Sequence, residues 1–342
     1  MQDIKVILLA SYLGGGGAEK AMRYLNRAFK SSQIDSTYIA IERMASLEVQ
    51  NDSEIVLSPS DSLSRPIRLL VAWGRLQKLL KKNPNSIVVA NCDLAEIFVL
   101  FSFSCKKVII VEHSSQSWSN RRSVGRIVRL LLYKRGVDFV SVSRSVSIQF
   151  LHKVNYKVIE NVIEPLIFDD ERKELEEGNR LVFIGRLSNE KNPSRFLDIV
   201  KSCRLPGLII GSGPIESELI EKASKEEIDV TFMGYQAKPW SHVRKSDALI
   251  VTSLFEGKPL VILEALSIGI KVFSVDLPNL LNEFEMFGVD FCASDWDFAG
   301  RIEQWHLSKE PDLRSTVGKK TFDLKAHNSR ALESWLNFFA AL

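Results

Sequence analysis

Glu256 and Glu264 are the residues whose types and spacing bear most directly on chemistry: seven residues separate them in SLFEGKPLVILEALSIG, residues 253–269. The segment follows an apolar run, Ala248 to Thr252, that reads as a buried strand. Pro259 suits the first turn of the helix that comes next, where a missing N–H costs nothing. Glu256 then lies in the loop before the helix and Glu264 in its second turn. In an open parallel sheet, ligands bind outside the carboxyl ends of the strands, and the free amides of a helix N-terminus there favour a phosphate. Carboxylates beside such a site suit the hydroxyl groups of a ribose and a sugar better than they suit the anion. Two glutamates eight positions apart are common on solvated helices; the preceding strand, the glycine and the proline set this pair apart. A further Gly-rich turn, Gly14 to Gly17 before Ala18-Glu19-Lys20, lets backbone approach a ligand closely at the end of the first strand. It lacks the dinucleotide-binding fingerprint, which needs Gly or Ala at Glu19 or Lys20.

The elements that must position these residues follow from the rest of the chain. Its 342 residues are close to two domains of ordinary size, and 45% hydrophobic with 25% charged residues is a globular composition. Short Ile- and Val-rich runs alternate with longer amphipathic stretches, and the alternation occurs twice, which predicts two doubly wound parallel sheets. Strands are expected near Lys5 to Ala10, Thr37 to Ile41, Ser86 to Ala90, Lys107 to Val111, Phe139 to Val142 and Lys157 to Ile159. A second series is expected near Leu181 to Ile184, Gly207 to Ile210, Val230 to Met233, Ala248 to Thr252 and Lys271 to Val275. Between them, residues 161–179 lose apolar periodicity and gain acids, as a connection between domains does. Leu332, Trp335, Leu336, Phe339 and Leu342 give the last stretch a helical apolar face that packs back onto a domain.

With these residues in view, the sequence resembles the retaining GT-B glycosyltransferases, specifically glycosyltransferase family 4, whose hallmark is a Glu, seven residues and a second Glu in this strand-loop-helix setting. The match runs through Glu256, Gly257, Glu264, Ala265 and Gly269; Lys258 and Pro259 replace the Phe-Gly pair common in the family. The resemblance implies an α/β GT-B fold with two Rossmann-like domains facing a cleft, 1–163 on the acceptor side and 178–322 binding the nucleotide sugar. The helix 323–342 then returns to the first domain. It also implies that Glu256 approaches the transferred sugar, Glu264 the ribose, and the backbone of Lys258, Pro259, Leu260 and Val261 the diphosphate. FIGRLSNEKN, residues 183–192, fits the family at Gly185, Arg186, Glu190, Lys191 and Asn192. Fixed cations there lower the barrier to loss of the diphosphate without a metal, Arg186 gripping oxygens bidentately and Lys191 acting as a point charge. Gly15, Gly16 and Gly17 resemble the family's first loop, which faces the donor; Gly213 lies in a turn placed near the base; and His113, just past a strand, is similar to a histidine that contacts the transferred sugar.

The expected activity is transfer of a sugar, with retention of configuration, from a UDP- or GDP-sugar to a saccharide or lipid-linked saccharide acceptor, in bacterial-type surface polysaccharide or lipopolysaccharide synthesis. No metal and no other cofactor is expected, and nucleic acid is not an expected partner. Asp295-Trp296-Asp297 precedes an amphipathic stretch and reads as helix capping. Two other readings stay open: a non-catalytic nucleotide-sugar-binding subunit, and a UDP-sugar epimerase of GT-B fold. Cys92, Cys105, Cys203 and Cys292 have no metal-ligand spacing and read as reduced thiols of a cytoplasmic protein. No transmembrane helix is expected, because Glu96, Lys106 and Lys107 interrupt the most apolar window. Cut after Ile163, the chain carries 23 Lys+Arg against 13 Asp+Glu before the cut and 22 against 29 after it, so +10 and −7 make the net +3. In the basic first half, Arg65, Arg68, Arg75, Lys78, Lys81 and Lys82 form one stretch and Arg121, Arg122, Arg126, Arg129, Lys134 and Arg135 another. Both are interleaved with apolar residues, which raises the expectation of peripheral contact with an anionic membrane.

Overall fold

The computed structural model describes residues 5–13, 16–43, 54–59, 63–113, 118, 121–146, 148, 150, 154–166, 179–308 and 321–342. The chain divides into two compact units, Met1–Glu164 with Lys325–Leu342, and Pro165–Leu324.

The first unit holds a seven-stranded sheet. Its strands are β1 (Val6–Tyr12), β2 (Ser36–Glu42), β3 (Glu54–Val56), β4 (Ile87–Asn91), β5 (Lys107–Glu112), β6 (Asp138–Ser141) and β7 (Tyr156–Val158). Every neighbouring pair is parallel, in the order β3-β2-β1-β4-β5-β6-β7. Successive strand residues point to opposite faces, and here both faces are buried, which is why the strands read as continuous apolar runs. Ile7 and Leu9 enter one core with Leu76 and Leu80 of α2 (Arg65–Lys82), Val99 of α3 (Asp93–Leu100) and Leu132 of α4 (Arg122–Lys134). Val6, Leu8 and Ala10 enter the other, with Met22, Leu25 and Phe29 of α1 (Gly17–Ser31).

The second unit holds a six-stranded sheet of β8 (Leu181–Ile184), β9 (Gly207–Ile210), β10 (Val230–Phe232), β11 (Ala248–Val251), β12 (Lys271–Val275) and β13 (Asp290–Cys292). Its order is β10-β9-β8-β11-β12-β13, again all parallel. Helices α5 (Pro193–Cys203), α6 (Glu216–Lys225), α7 (Leu260–Ser267) and α8 (Pro278–Phe284) lie between the strands, and α9 (Asp295–Leu307) follows the last of them. Phe196, Leu219 and Phe298 pack with Phe183, Ile209 and Ile250 on one face of this sheet.

The last helix, α10 (Leu324–Ala340), joins the first unit. Trp335 meets Phe29 edge-on at 6.3 Å and Phe339 lies 5.6 Å from the same ring. Asn328 fastens the helix further, accepting from Ile163 N at 2.9 Å and donating to Ile163 O at 2.6 Å. Residues 161–163 are therefore held by α10, although their composition reads as the start of the connection. The sequence reading misses two strands, β3 and β13. Each is a three-residue edge strand that opens on a carboxylate, Glu-Ile-Val and Asp-Phe-Cys, and so shows no apolar run, and β3 is held by Arg23, which donates to both carboxylate oxygens of Glu54 at 2.9 Å. Trp335 is 3% exposed; its replacement by alanine is expected to lower stability by about 3–5 kcal/mol, read as a shift in the urea midpoint, and an unchanged midpoint would show that α10 contributes no such packing.

Candidate functional site

In the second sheet the strand order reverses between β8 and β11, because β9 and β10 extend one way and β12 and β13 the other. Loops leaving the carboxyl ends at such a switch point diverge and leave a crevice for ligands. Here they are the loops that carry FIGRLSNEKN and SLFEGKPL. They are joined to each other. Leu254 N donates to Glu190 O at 2.8 Å, and Thr252 Oγ1 donates to the carbonyls of Lys191 and Asn192 at 3.0 and 2.9 Å. Asn192 takes a left-handed conformation, φ 49°, between a short 3-10 turn and Pro193, the first residue of α5.

Two sequence-predicted site residues bind each other across these loops. Lys191 Nζ donates to Glu256 Oε1 at 2.6 Å, and Ser253 Oγ donates to the same oxygen at 2.6 Å. The Glu256 side chain is 9% exposed and that of Lys191 31%. Asn279, in α8, donates to the carbonyls of Glu256 and Gly257 at 2.9 and 3.1 Å, which fixes the backbone below the carboxylate. Lys191 is thus more than a cation reserved for phosphate: one of its three donors is committed to Glu256. Arg186 is exposed and its guanidinium has no ion-pair partner among the described residues, so it is available to an anion.

Helix α7 has Pro259 at its cap position, φ −66° and ψ 119°, just before the first turn in which the sequence places it. Pro259 has no N–H, so the donors of this segment are the amides of Lys258, Leu260 and Val261. The Lys258 side chain turns away from a donor role: it is buried, 3.1 Å from Glu283 Oε2 and 6.0 Å from the centre of the Phe284 ring. Glu264 sits in the second turn of α7 as expected, 1% exposed, and accepts from Trp240 Nε1 at 2.8 Å. Trp240, Ser253 and Asn279 are absent from the sequence reading. They support the two glutamates from positions 3 to 24 residues away, a relation without periodicity.

The glycines of this site are required by close approach. A Cβ on Gly211 would lie 1.8 Å from Gly185 O, and one on Gly213 2.1 Å from Leu187 O. The loops after β8 and β9 pack backbone to backbone there, with Leu187 N donating to Ser212 O at 3.0 Å. Ser188, in the same loop, has a buried Oγ without a hydrogen-bond partner among the described residues, and a polar group left in that state at a strand's carboxyl end is a natural ligand contact.

The first sheet has its own reversal, between β1 and β4. Gly14 and Gly15 lie outside the described residues. Gly16 caps α1 and Gly17 begins it. Beside them Cys92, at φ 75°, donates its thiol to Glu19 Oε1 at 3.6 Å, and burial pushes that thiol well above its ordinary range. Asn91 Nδ2 is buried without a hydrogen-bond partner among the described residues. One strand further along, His113 follows β5 and faces a small pocket lined also by Met22, Val111, Asn161 and Trp335. Its Nε2 is buried without a hydrogen-bond partner among the described residues, and burial lowers its pKa to about 4. The preceding residue, Glu112, accepts from Arg129, which also donates to Glu96 at 3.0 and 2.6 Å; Trp118 Nε1 reaches Glu96 at 3.0 Å. Burial alone would depress the Arg129 guanidinium, but the two carboxylates outweigh it and raise it above its usual value. Arg129 is 1% exposed, so it is an internal cation and no part of a basic surface.

Ser294 caps α9, its Oγ accepting from Asp297 N at 3.2 Å, while Asp297 accepts from Ala293 N at 3.0 Å and Asp295 from Arg195 at 2.5 Å. The Asp-x-Asp pattern is therefore a helix N-terminus with its carboxylates engaged. Among the described residues, no three His, Cys, Asp or Glu side chains converge on a point that could hold a metal ion.

Two parallel-sheet Rossmann-like domains of this order define the GT-B fold. Across 97% of this chain and 99% of its own, the structure of Anabaena HepE in complex with UDP and glucose matches with a TM-score of 0.78 at 16% identity, a likeness of fold. Residues 167–321 match the family model described as Glycosyl transferases group 1. Among curated relatives, the GalNAc-alpha-(1->4)-GalNAc-alpha-(1->3)-diNAcBac-PP-undecaprenol alpha-1,4-N-acetyl-D-galactosaminyltransferase of Campylobacter jejuni is 25% identical over 278 residues, 77% of each chain. The amylovoran biosynthesis glycosyltransferase AmsD of Erwinia amylovora is 34% identical over 140 residues, 39% of this chain and 40% of its own.

The His113 environment predicts a pH effect. Its folded pKa, about 4, lies below the unfolded value near 6.5, so between these limits the unfolded chain binds more protons and stability falls as pH falls. His113→Gln is expected to flatten the loss of stability from pH 6.5 to 4 by up to one proton, measured by urea unfolding across that range; parallel profiles for parent and variant would contradict it.

Proposed function

We propose that the protein is a nucleotide-sugar-dependent glycosyltransferase that transfers a hexose-type sugar with retention of configuration and without a metal. The observation that carries this reading is the paired loops at the second switch point. They set an ionic pair, Lys191 with Glu256, beside an exposed Arg186, the amides that open α7 and a backbone contact only glycine can make. Anion-binding groups and hydroxyl-binding carboxylates within one loop pair match a sugar linked to a diphosphate.

In the reaction, the bond from the anomeric carbon to the diphosphate oxygen breaks, and the acceptor hydroxyl bonds to the same face of that carbon. Its proton passes to the departing phosphate. Arg186, Lys191 and the amides of Leu260 and Val261 stabilise the charge that develops on the diphosphate. Glu256, held by Lys191 and Ser253, orients the sugar, and Glu264, held by Trp240, takes the ribose. His113, whose Nε2 has no hydrogen-bond partner among the described residues, is the proposed contact of the first unit to a sugar hydroxyl. UDP or GDP is the proposed donor nucleotide. A lipid-linked saccharide in surface polysaccharide synthesis at the cytoplasmic side of the membrane is the proposed acceptor, in keeping with the undecaprenol-linked acceptor named for the Campylobacter relative.

A thermal-shift screen of UDP-, GDP- and ADP-sugars identifies the donor, since a ligand bound only by the folded state raises the midpoint by mass action. With that donor and cell-derived acceptors, Glu256→Gln is expected to lose transfer by about a hundredfold or more while keeping its melting profile, and Glu264→Gln chiefly to weaken donor binding. Parental transfer and parental donor affinity in both variants would remove the assignment. Donor binding without turnover would favour a binding subunit, and conversion of the donor sugar without acceptor would favour an epimerase.

A further inference from the structure

The outward side of α4 inverts the usual pattern of a surface helix. Its buried side is Gly125, Val128, Arg129 and Leu132, so the opposite side should be polar. Instead Val124, Ile127 and Leu131 recur there at helical spacing, with exposures of 47%, 61% and 44%, and Leu130 adds 45%. Phe103, 74% exposed, lies under the Arg135 guanidinium at 4.2 Å, and Arg135 also donates to Val99 O and Ser102 O at 2.8 and 2.7 Å. Those bonds bring the loop after α3, with its exposed Phe101 and Phe103, to the C-terminal end of α4.

The charge around this apolar side is of one sign. Arg121, Arg122 and Arg126 stand at the N-terminal end and Lys134 at the other, all exposed. From His113 to Val137 the chain has no carboxylate. Arginines at a helix N-terminus oppose the helix dipole, and no acidic residue offsets them in the first turn. A local cost of that kind, borne next to exposed apolar residues, points to a use. The other basic stretch differs: Arg65 and Arg68 pair with Glu42, and Arg75 donates to Leu57 O at 2.8 Å. Among the described residues no helix is long and apolar enough to cross a membrane, so contact through this side would be peripheral.

We infer that α4, with Phe101 and Phe103, is a membrane-docking surface that seats on an anionic lipid bilayer, its apolar side chains entering the headgroup boundary and its cations meeting lipid phosphates. The inference is independent of sugar transfer. It is tested by flotation of the full chain with vesicles of phosphatidylcholine and 30% phosphatidylglycerol (~30%, the range in which anionic surface charge attracts basic segments), with no nucleotide sugar present. The parent is expected to float, with binding lost at high salt. Arg122→Gln with Arg126→Gln should weaken binding about thirtyfold, from about 1 kcal/mol per cation. Ile127→Gln with Leu131→Gln should weaken it about tenfold or more, although it changes no charge. Lys225→Gln with Lys238→Gln, which removes the same charge from the second unit, should float like the parent. Melting profiles establish that each variant is folded, and either α4 pair suffices for the comparison. A parent that stays with the pellet, or α4 variants that float as the parent does, would overturn the inference. So would a parental dimer that Ile127→Gln with Leu131→Gln converts to monomer in the absence of any vesicle binding, since a second copy would then be the occupant.

Discussion

The ion pair between Lys191 and Glu256 is the constraint on which the second unit's site depends. It spans 65 residues of sequence and joins the two loops that leave the sheet where its strand order reverses. A charged hydrogen bond of this kind contributes about 1.5–3 kcal/mol, and its geometric effect matters as much. With Ser253 on the same oxygen and Asn279 beneath the backbone, the carboxylate has one position. Catalytic groups held in this way need no reorganisation when a substrate arrives. The partly exposed ammonium keeps two further donors, so in the proposed reaction one side chain would serve both the carboxylate and the leaving diphosphate.

A similar economy runs through the first unit, where charge is used inside the fold. Glu96, Arg129, Glu112 and Trp118 form a buried network that joins α3, α4 and the end of β5. Such a network is costly to desolvate and requires every member to be satisfied. It fixes the strand end that presents His113, and it anchors α4 from beneath, which leaves the outward side of that helix free of any role in the core. The same helix therefore supports the strand end before His113 through its buried arginine and offers an apolar, basic surface outside.

Much of this was legible in the sequence because strands buried on both faces must be continuous runs of Ile, Val and Leu, as β1, β4 and β5 are. Strands β8, β9 and β12 begin and end where their apolar runs do. The edge strands β3 and β13 were illegible, since each opens on a carboxylate and holds only two apolar residues, whereas the equally short edges β7 and β10 run on into Ile159 and Met233. The positions of Glu256 and Glu264 could be read from the strand, loop and helix around them. Their supports could not: Ser253, Asn279 and Trp240 are ordinary residues made relevant by tertiary packing. Arg129 misleads in the same way, because in sequence it is one basic residue among six, and only burial between two carboxylates separates it from Arg122 and Arg126. The place of the Lys258 side chain, on Glu283 and Phe284, could not be read from the sequence either.

Whether the loops after β8 and β11 hold a nucleoside diphosphate is the point on which the whole account turns, and calorimetric titration of UDP and GDP into the parent and into Arg186→Ala measures it most directly. Arg186 is exposed and has no ion-pair partner among the described residues, so its removal is expected to leave packing untouched. The account predicts saturable binding of one of the two nucleotides by the parent, and a loss of roughly tenfold or more in the variant, the scale of one charge-assisted contact to phosphate, with an unchanged melting profile. Equal affinity in the two proteins, or no binding of either nucleotide to the parent, would contradict it.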